Sequence, residues 1–377
     1  YPGAGGYVVR SLHNPYGTGH NVIFLGGSDD AGVYEAAKVF SGGLKKNRTL
    51  KVGWLMKIRL GKGLTPPIIS ANLQKWNVLS WNDSRRKDAN GEITGYEPAT
   101  YFGWNPISVA GVLYYLTGHR EYLKTFKELA MPDPQHTPIV NRMDDAFNDP
   151  LNPLVKNCHY RAHLVDCIYD LIEESPDFND DERLFITNRL LEHQYEYDPT
   201  HTYSVSNGDR HALWHMLCIY TGSRYFARYY PDPIWNGRIN NVRKGFQSFI
   251  GNPAWGVRDT LEWVSTSIEP VFDFFLLDGC HDFIKSGTAR TMMQALEVLM
   301  TGDFIDEYNK YLPINLLHKA AYMLNDERYV WMTLRLGVDF STFRIGQSYW
   351  PLADTIGSPP TDLIGRITIS PLATSDW

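Results

Sequence analysis

Cysteine is scarce in this chain. Four residues of 377, Cys158, Cys167, Cys218 and Cys280, form no CxxC pair and show no metal-type spacing. A disulfide scaffold is therefore excluded, and these side chains read as small buried hydrophobes. An excess of positive charge is missing too. With 36 Lys and Arg against 42 Asp and Glu the net charge is −6, so no field draws a phosphate backbone, which argues against nucleic acid as a partner. No apolar run comes near the roughly 18 residues of a membrane helix, so no membrane span is expected. The composition is not that of a disordered chain either, since 43% hydrophobic and 21% charged residues are globular values. Neither an initiator Met nor a basic-then-apolar leader opens the sequence at Tyr1, so localisation has to follow from function.

Aromatic residues, by contrast, are abundant. Eleven Trp, 23 Tyr and 17 Phe make up 14% of the chain, weighted toward rings with a polar tip. Such rings line carbohydrate-binding clefts and also fill large helical cores. At about 150 residues per domain the length allows two to three domains.

The pattern changes at three points along the chain. Residues 1–64 read as a small α/β segment: an apolar run at 20–25, the turn Gly26-Gly27-Ser28-Asp29-Asp30, and an amphipathic helix from about Gly32 to Leu44. This looks like a piece of a larger N-terminal domain whose other strands precede Tyr1. The turn does not fit a dinucleotide fingerprint, because its spacing is not GxGxxG and Asp29 and Asp30 stand where a pyrophosphate needs backbone N–H groups. Residues 65–97, punctuated by Pro66-Pro67, Asn82-Asp83-Ser84 and Gly91, read as a linker. From 98 to 345 the apolar period is 3.6, giving helices at 98–117, 119–130, 158–174, 180–196, 207–222, 233–248, 259–279, 281–299, 302–324 and 326–337. Residues 346–377 are Pro/Gly-rich and then alternate from Gly365 to Pro371, as the first strand of a C-terminal β-domain would.

Loop signals at Thr117-Gly118, Thr221-Gly222, Pro231-Asp232-Pro233 and Thr301-Gly302 separate these helices. Short connections make antiparallel hairpins, and a shared signature recurs at 116–122, 220–226 and 324–330. The fold class expected is mainly α, an incomplete α/α toroid of helical hairpins, rather than an open solenoid, because the chemically loaded residues cluster at a few helix ends.

The densest such cluster is Tyr203-Ser-Val-Ser-Asn207-Gly208-Asp209-Arg210-His211-Ala212-Leu213-Trp214-His215. Asn207 or Asp209 suits an N-cap, and His211 and His215 stand one helical turn apart on one face. The same residues also read as a capped helix with core histidines. A zinc site is not indicated, since Ala212 replaces the Glu of HExxH and no third ligand appears. No cofactor is expected. His159, Tyr160, Arg161 and His163 open another helix, as subsite residues or as a packing seam. Glu262 and Trp263 open a third, where Glu262 is a candidate acid or base beside an indole that a sugar could stack on, or simply suits the helix dipole. Tyr96 and Trp104 form a candidate aromatic subsite or a core seam before the first long helix.

These stretches carry a resemblance. The LGGSDDAGVYEAAKVF segment, the Leu-Thr-Gly-His-Arg-Glu-Tyr hairpin, the Ser-Asn-Gly-Asp-Arg-His-Ala-Leu run and Arg-Tyr-Phe-Ala-Arg-Tyr-Tyr-Pro-Asp resemble the heparinase II/III-like and alginate-lyase-like polysaccharide lyases. The resemblance covers residues 20–375 in architecture and only short stretches in motif. It implies an incomplete α/α toroid followed by a β-sandwich, a uronic-acid polysaccharide as substrate, β-elimination as the reaction, and a secreted or periplasmic location. An Asn, often with a His beside it, would neutralise the C5 carboxylate; a Tyr or His would remove the C5 proton; a Tyr would protonate the leaving O4. Carried over, Asn207 matches the neutralising Asn and His211 the His, with Arg210 or His215 assisting on the carboxylate. Gly208-Asp209-Arg210 intervene between that Asn and His. The helix expected to carry the catalytic Tyr has Glu262 and Trp263 instead, so Tyr203 or Tyr160 would supply the proton. Two alternatives stand beside this reading: a toroidal glycoside hydrolase working through Asp209 and Glu262, and a non-catalytic glycan-binding protein.

Overall fold

The computed structural model describes residues 2–45, 52–66, 85–87, 93–96, 106–134, 151–155, 160, 162–196, 210–252, 261–299, 312–326 and 328–335. It is mainly helical, with a small antiparallel sheet at the N-terminal end. The expected strand after His20 is β2 (Val22–Gly27), which pairs with β1 (Tyr7–Leu12); β1 is central, and β3 (Met56–Arg59) pairs with its other edge. β2 thus has a partner within the chain, where the sequence reading looks for the other strands before Tyr1. The short run Tyr7-Val8-Val9 buries Val8 and Val9 and pairs on both edges, with Tyr7 opposite Gly27 and Arg59. The helix α1 (Asp30–Lys45) packs on β1 and β2.

Asp29 caps that helix. Its Oδ1 accepts from the Gly32 N–H at 2.8 Å and its Oδ2 from the Gly5 N–H at 2.8 Å, bonds that hold the carboxyl below its usual range. The chain's own carboxylate thus occupies the amides that a bound anion would need. The sheet docks on the helices through Arg10, whose guanidinium covers the Tyr115 ring and donates to the Tyr115 carbonyl. Met56 and Leu60 pack beside it on the helical core. Within the stretch read as a linker, β4 (Arg85–Lys87) and β5 (Ile93–Tyr96) pair antiparallel.

The helices that follow are α2 (Pro106–Thr117), α3 (Arg120–Ala130), α4 (His163–Ile172), α5 (Asp180–Glu196), α6 (Arg210–Tyr229), α7 (Pro233–Gln247), α8 (Leu261–Asp278), α9 (His281–Lys285), α10 (Thr288–Leu299), α11 (Leu312–Leu324) and α12 (Arg328–Arg335). Two Thr-Gly pairs behave differently. Gly118 has φ +71° and its N–H donates to the Tyr114 carbonyl at 2.8 Å, a C-terminal stop for α2. Thr221-Gly222 is no stop: α6 runs through it to Tyr229. A Cβ on Gly222 would lie 2.2 Å from Nε2 of Gln194 on α5, so this glycine serves close packing and not termination. The helix expected over 281–299 is likewise two, broken at Gly287 with φ +79°.

Hairpins form where the connections are short, as between α6 and α7, where Phe226 stacks on Trp235 and Arg243 reaches back to the α8 carboxylate that Tyr220 also contacts. Packing also runs between helices that are not consecutive: α2 packs on α4, α4 on α6, α6 on α8 and α8 on α11. Contacts advance in the same direction along α4 and α6, from Tyr160 with His211, to His163 with Trp214, to Asp166 with Thr221, to Asp170 with Arg228. They do so again along α6 and α8, from Trp214 with Thr266 to Tyr220 with Phe274 to Arg224 with Leu277. These three helices are therefore parallel, and their N-terminal ends lie at one end of the stack. The expected strand at 365–371 lies outside the described residues.

Candidate active site

At the N-terminal ends of α4, α6 and α8 the structure brings together Tyr160, Arg210, His211 and Trp263. Tyr160 is buried just before α4, and its hydroxyl lies 3.5 Å from Nε2 of His211 in the first turn of α6, with ring centroids 5.5 Å apart. The Arg210 guanidinium sits 4.5 Å above the Trp263 ring, a cation–π contact that ties the start of α6 to the start of α8. His215 follows one turn beyond His211 and is half-buried. Glu262 opens α8 and Tyr96 closes β5. Tyr203, Asn207, Asp209, His159, Arg161 and Trp104 lie outside the described residues. Among the described residues no group of three His, Cys, Asp or Glu could hold a metal ion. Of the described cysteines, Cys218 is buried and Cys167 and Cys280 are half-buried.

Behind these residues lies a buried chain of polar groups, of which the sequence reading singled out only His163. Trp214, fully buried, packs edge-on against Tyr160 and faces the His163 ring at 5.6 Å. His163 Nε2 lies 3.7 Å from Asp273 Oδ2, and Lys319 Nζ from α11 bridges Asp273 Oδ1 at 2.6 Å and Glu269 Oε1 at 2.8 Å. For His163 the packing-seam reading is the one the geometry favours. The signals were legible in principle: Glu269 and Asp273 stand four apart inside the apolar run 268–277, and Lys319 inside the apolar run 312–324. A charge inside an apolar helix needs a partner across the interface.

Further along the same α4–α6 seam, three carboxyls stand at i, i+4 and i+7 and bond to side chains of α6. Asp170 takes the cation Arg228 at 3.0 Å and accepts from Tyr229. Asp166 has the Thr221 hydroxyl at 3.0 Å, and Glu173 accepts from the Tyr225 hydroxyl. Burial pushes Asp166 up to about 7, with the charge of Asp170 adding to it, and Glu173 up to about 8 for the same two reasons. Burial also raises the Tyr225 and Tyr229 hydroxyls, with the charges of Glu173 and Asp170 respectively next in effect. The Thr221 proton can serve only one of three acceptors within 3.2 Å, Asp166 and the Leu217 and Cys218 carbonyls. A protonated Asp166 resolves that shortage by donating to Thr221 while Thr221 donates to its own helix.

Chemically, the end of the stack offers a hydroxyl–imidazole pair for proton transfer, a fixed guanidinium, an indole and three helix N-termini. Set against protein-family models, curated proteins and solved structures, the chain matches none of them.

Proposed function

We propose that the chain is a polysaccharide lyase that cleaves a uronic-acid polysaccharide by β-elimination. The observation that carries this reading is the Tyr160–His211 pair standing where the parallel helices α4, α6 and α8 begin, beside Arg210. Helix N-termini carry about half a positive charge each, so their convergence favours an anionic group, and a guanidinium beside them adds geometric recognition of a carboxylate. Trp263 offers a face for a sugar ring.

In this reading Asn207 and Arg210 neutralise the C5 carboxylate, which makes the C5 proton acidic and stabilises the charge that develops on the carboxylate oxygens. His211 removes the C5 proton, the C–H electrons form the C4–C5 double bond, the C4–O4 bond breaks, and a tyrosine hydroxyl, from Tyr160 or Tyr203, protonates O4. The succession α2, α4, α6, α8 and α11, each packed on the next, supports the reading of an incomplete α/α toroid. A polymer substrate places the enzyme outside the cytoplasm, secreted or periplasmic.

The test is incubation with alginate, heparin, heparan sulfate, chondroitin sulfate, dermatan sulfate, hyaluronan and glucuronan, following the ultraviolet absorbance of an unsaturated uronate together with new reducing ends. Both should rise. The His211→Ala variant should lose turnover while still binding polymer, and Asn207→Ala should be slower by about 10²–10³-fold. Reducing ends without absorbance would replace elimination with hydrolysis through Asp209 and Glu262.

A further inference from the structure

Pro270 stands in the middle of α8. A proline has no N–H, and its ring pushes away the carbonyl four residues back, here that of Thr266. A buried helix carbonyl deprived of its partner must find another donor. The donor is the indole of Trp214 from α6, whose Nε1–H lies 2.9 Å from the Thr266 oxygen. Sequence and packing meet at this point: a helix-breaking residue on one helix creates an acceptor that fixes the orientation of one particular ring on its neighbour.

That ring is fixed on a second side. His163 faces it at an interplanar angle of 31°, and His163 is itself held near Asp273, whose other oxygen is bound by Lys319. The remaining edge of Trp214 meets Tyr160, at 6.1 Å between centroids and 67° between planes, and Tyr160 reaches His211. All of these groups except His211 are buried. The interior is packed closely enough for a turned ring at Trp214 to displace the next ring.

We propose that Trp214 is a positioning residue for the Tyr160–His211 pair, locked by the carbonyl that Pro270 frees and by the His163–Asp273–Lys319 chain behind it. For catalysis the inference rests on the lyase reading; as geometry it can be tested without it. The Trp214→Phe variant keeps a ring and loses the N–H. In the double variant Trp214→Phe/Pro270→Ala the backbone N–H restored at position 270 takes over the Thr266 carbonyl, so the backbone is satisfied again while the orienting bond stays absent.

Thermal unfolding and the nuclear magnetic resonance titration of the His211 imidazole, assigned with His211→Gln, separate the two roles. Trp214→Phe should lower Tm by several degrees and the double variant should recover most of that loss. The His211 titration curve should be displaced from that of the wild type in both. If the wild type cleaves a uronate polymer, kcat should fall by about tenfold to a hundredfold in the double variant with KM little changed. Should Trp214→Phe fail to fold, the double variant carries the test alone. A double variant whose His211 curve coincides with the wild type makes the indole bond purely structural and overturns the proposal. A wild type inactive on every polymer counts against the lyase reading and leaves the His211 curves to decide the positioning role.

Discussion

Replacing Asp166 by Asn should flatten the pH dependence of stability, and the size of the effect follows from the α4–α6 seam. Asp166 is fully buried, its partner is a hydroxyl, and the nearby carboxylate Asp170 repels its charge while pairing with Arg228 itself. Burial and that repulsion raise it from 3.8 to about 7. Below about pH 4 the carboxyl is protonated in both folded and unfolded chains and contributes nothing to the pH dependence. Between about pH 4 and 7 the folded chain keeps a proton that the unfolded chain has released, so stability falls by about 1.4 kcal/mol for each pH unit. Over the whole window the loss is on the order of 4 kcal/mol. Asn cannot ionise and so removes this slope. Its second N–H adds a pH-independent cost of about 1–3 kcal/mol if it finds no acceptor. Urea unfolding at 25 °C, followed by tryptophan fluorescence and accepted only where m is unchanged, gives the difference in stability between variant and wild type at each pH. From pH 5 to 8 that difference should move in favour of Asp166→Asn by about 3 kcal/mol. A difference constant across this range, or one moving against the variant as pH rises, would show that the folded chain holds Asp166 ionised and would refute the reasoning.

Three further outcomes follow from packing. Gly222→Ala should destabilise by about 1–3 kcal/mol despite the better helix propensity, because its Cβ meets Gln194. Gly237→Ala, on the exposed face of α7 with open space around it, should instead stabilise by about 0.5–1 kcal/mol. Chemical denaturation of the two variants side by side reads both signs. Lys319→Met leaves Glu269 and Asp273 buried without their shared ammonium and should cost about 3–5 kcal/mol in the same assay at pH 7. A loss below about 1 kcal/mol would mean that other groups already neutralise those carboxylates.

The helical elements were legible because their apolar period is long and regular, as in 180–196 and 233–248, which the structure reproduces to within a residue. Where the reading failed, one residue type had two physical uses. Thr117-Gly118 and Thr221-Gly222 look alike in sequence, yet the first glycine is chosen for a positive φ and the second for the absence of a side chain. Only the neighbour, Gln194, distinguishes them, and it lies on another helix. The central strand β1 was missed for a related reason. Its apolar stretch is only Tyr7-Val8-Val9, and what makes it a strand is pairing on both edges, a non-local fact.

The candidate site divides along the same line. Residues at helix starts announce themselves, because Asn, Asp, Arg and His in the first turn have a local reason to be there, and Tyr160, Arg210, His211 and Trp263 were read from that signal. The groups that hold them in place have no local signature. Trp214 reads as one more core aromatic and Pro270 as a helix breaker, until the carbonyl that the proline releases is found beneath the indole. Glu269, Asp273 and Lys319 stand out only as charges embedded in apolar runs. Each carries a desolvation cost that a helix alone cannot offset and that one particular partner across the interface can. A buried ionisable residue in an otherwise apolar helix is therefore a statement about a second helix. Glu269, Asp273, Lys319 and His163 share one interface, between α4, α8 and α11, directly behind the ring that backs the Tyr160–His211 pair. The register of those helices is fixed there more tightly than apolar packing would fix it, since sliding α11 by one turn would separate Lys319 from both carboxylates at once.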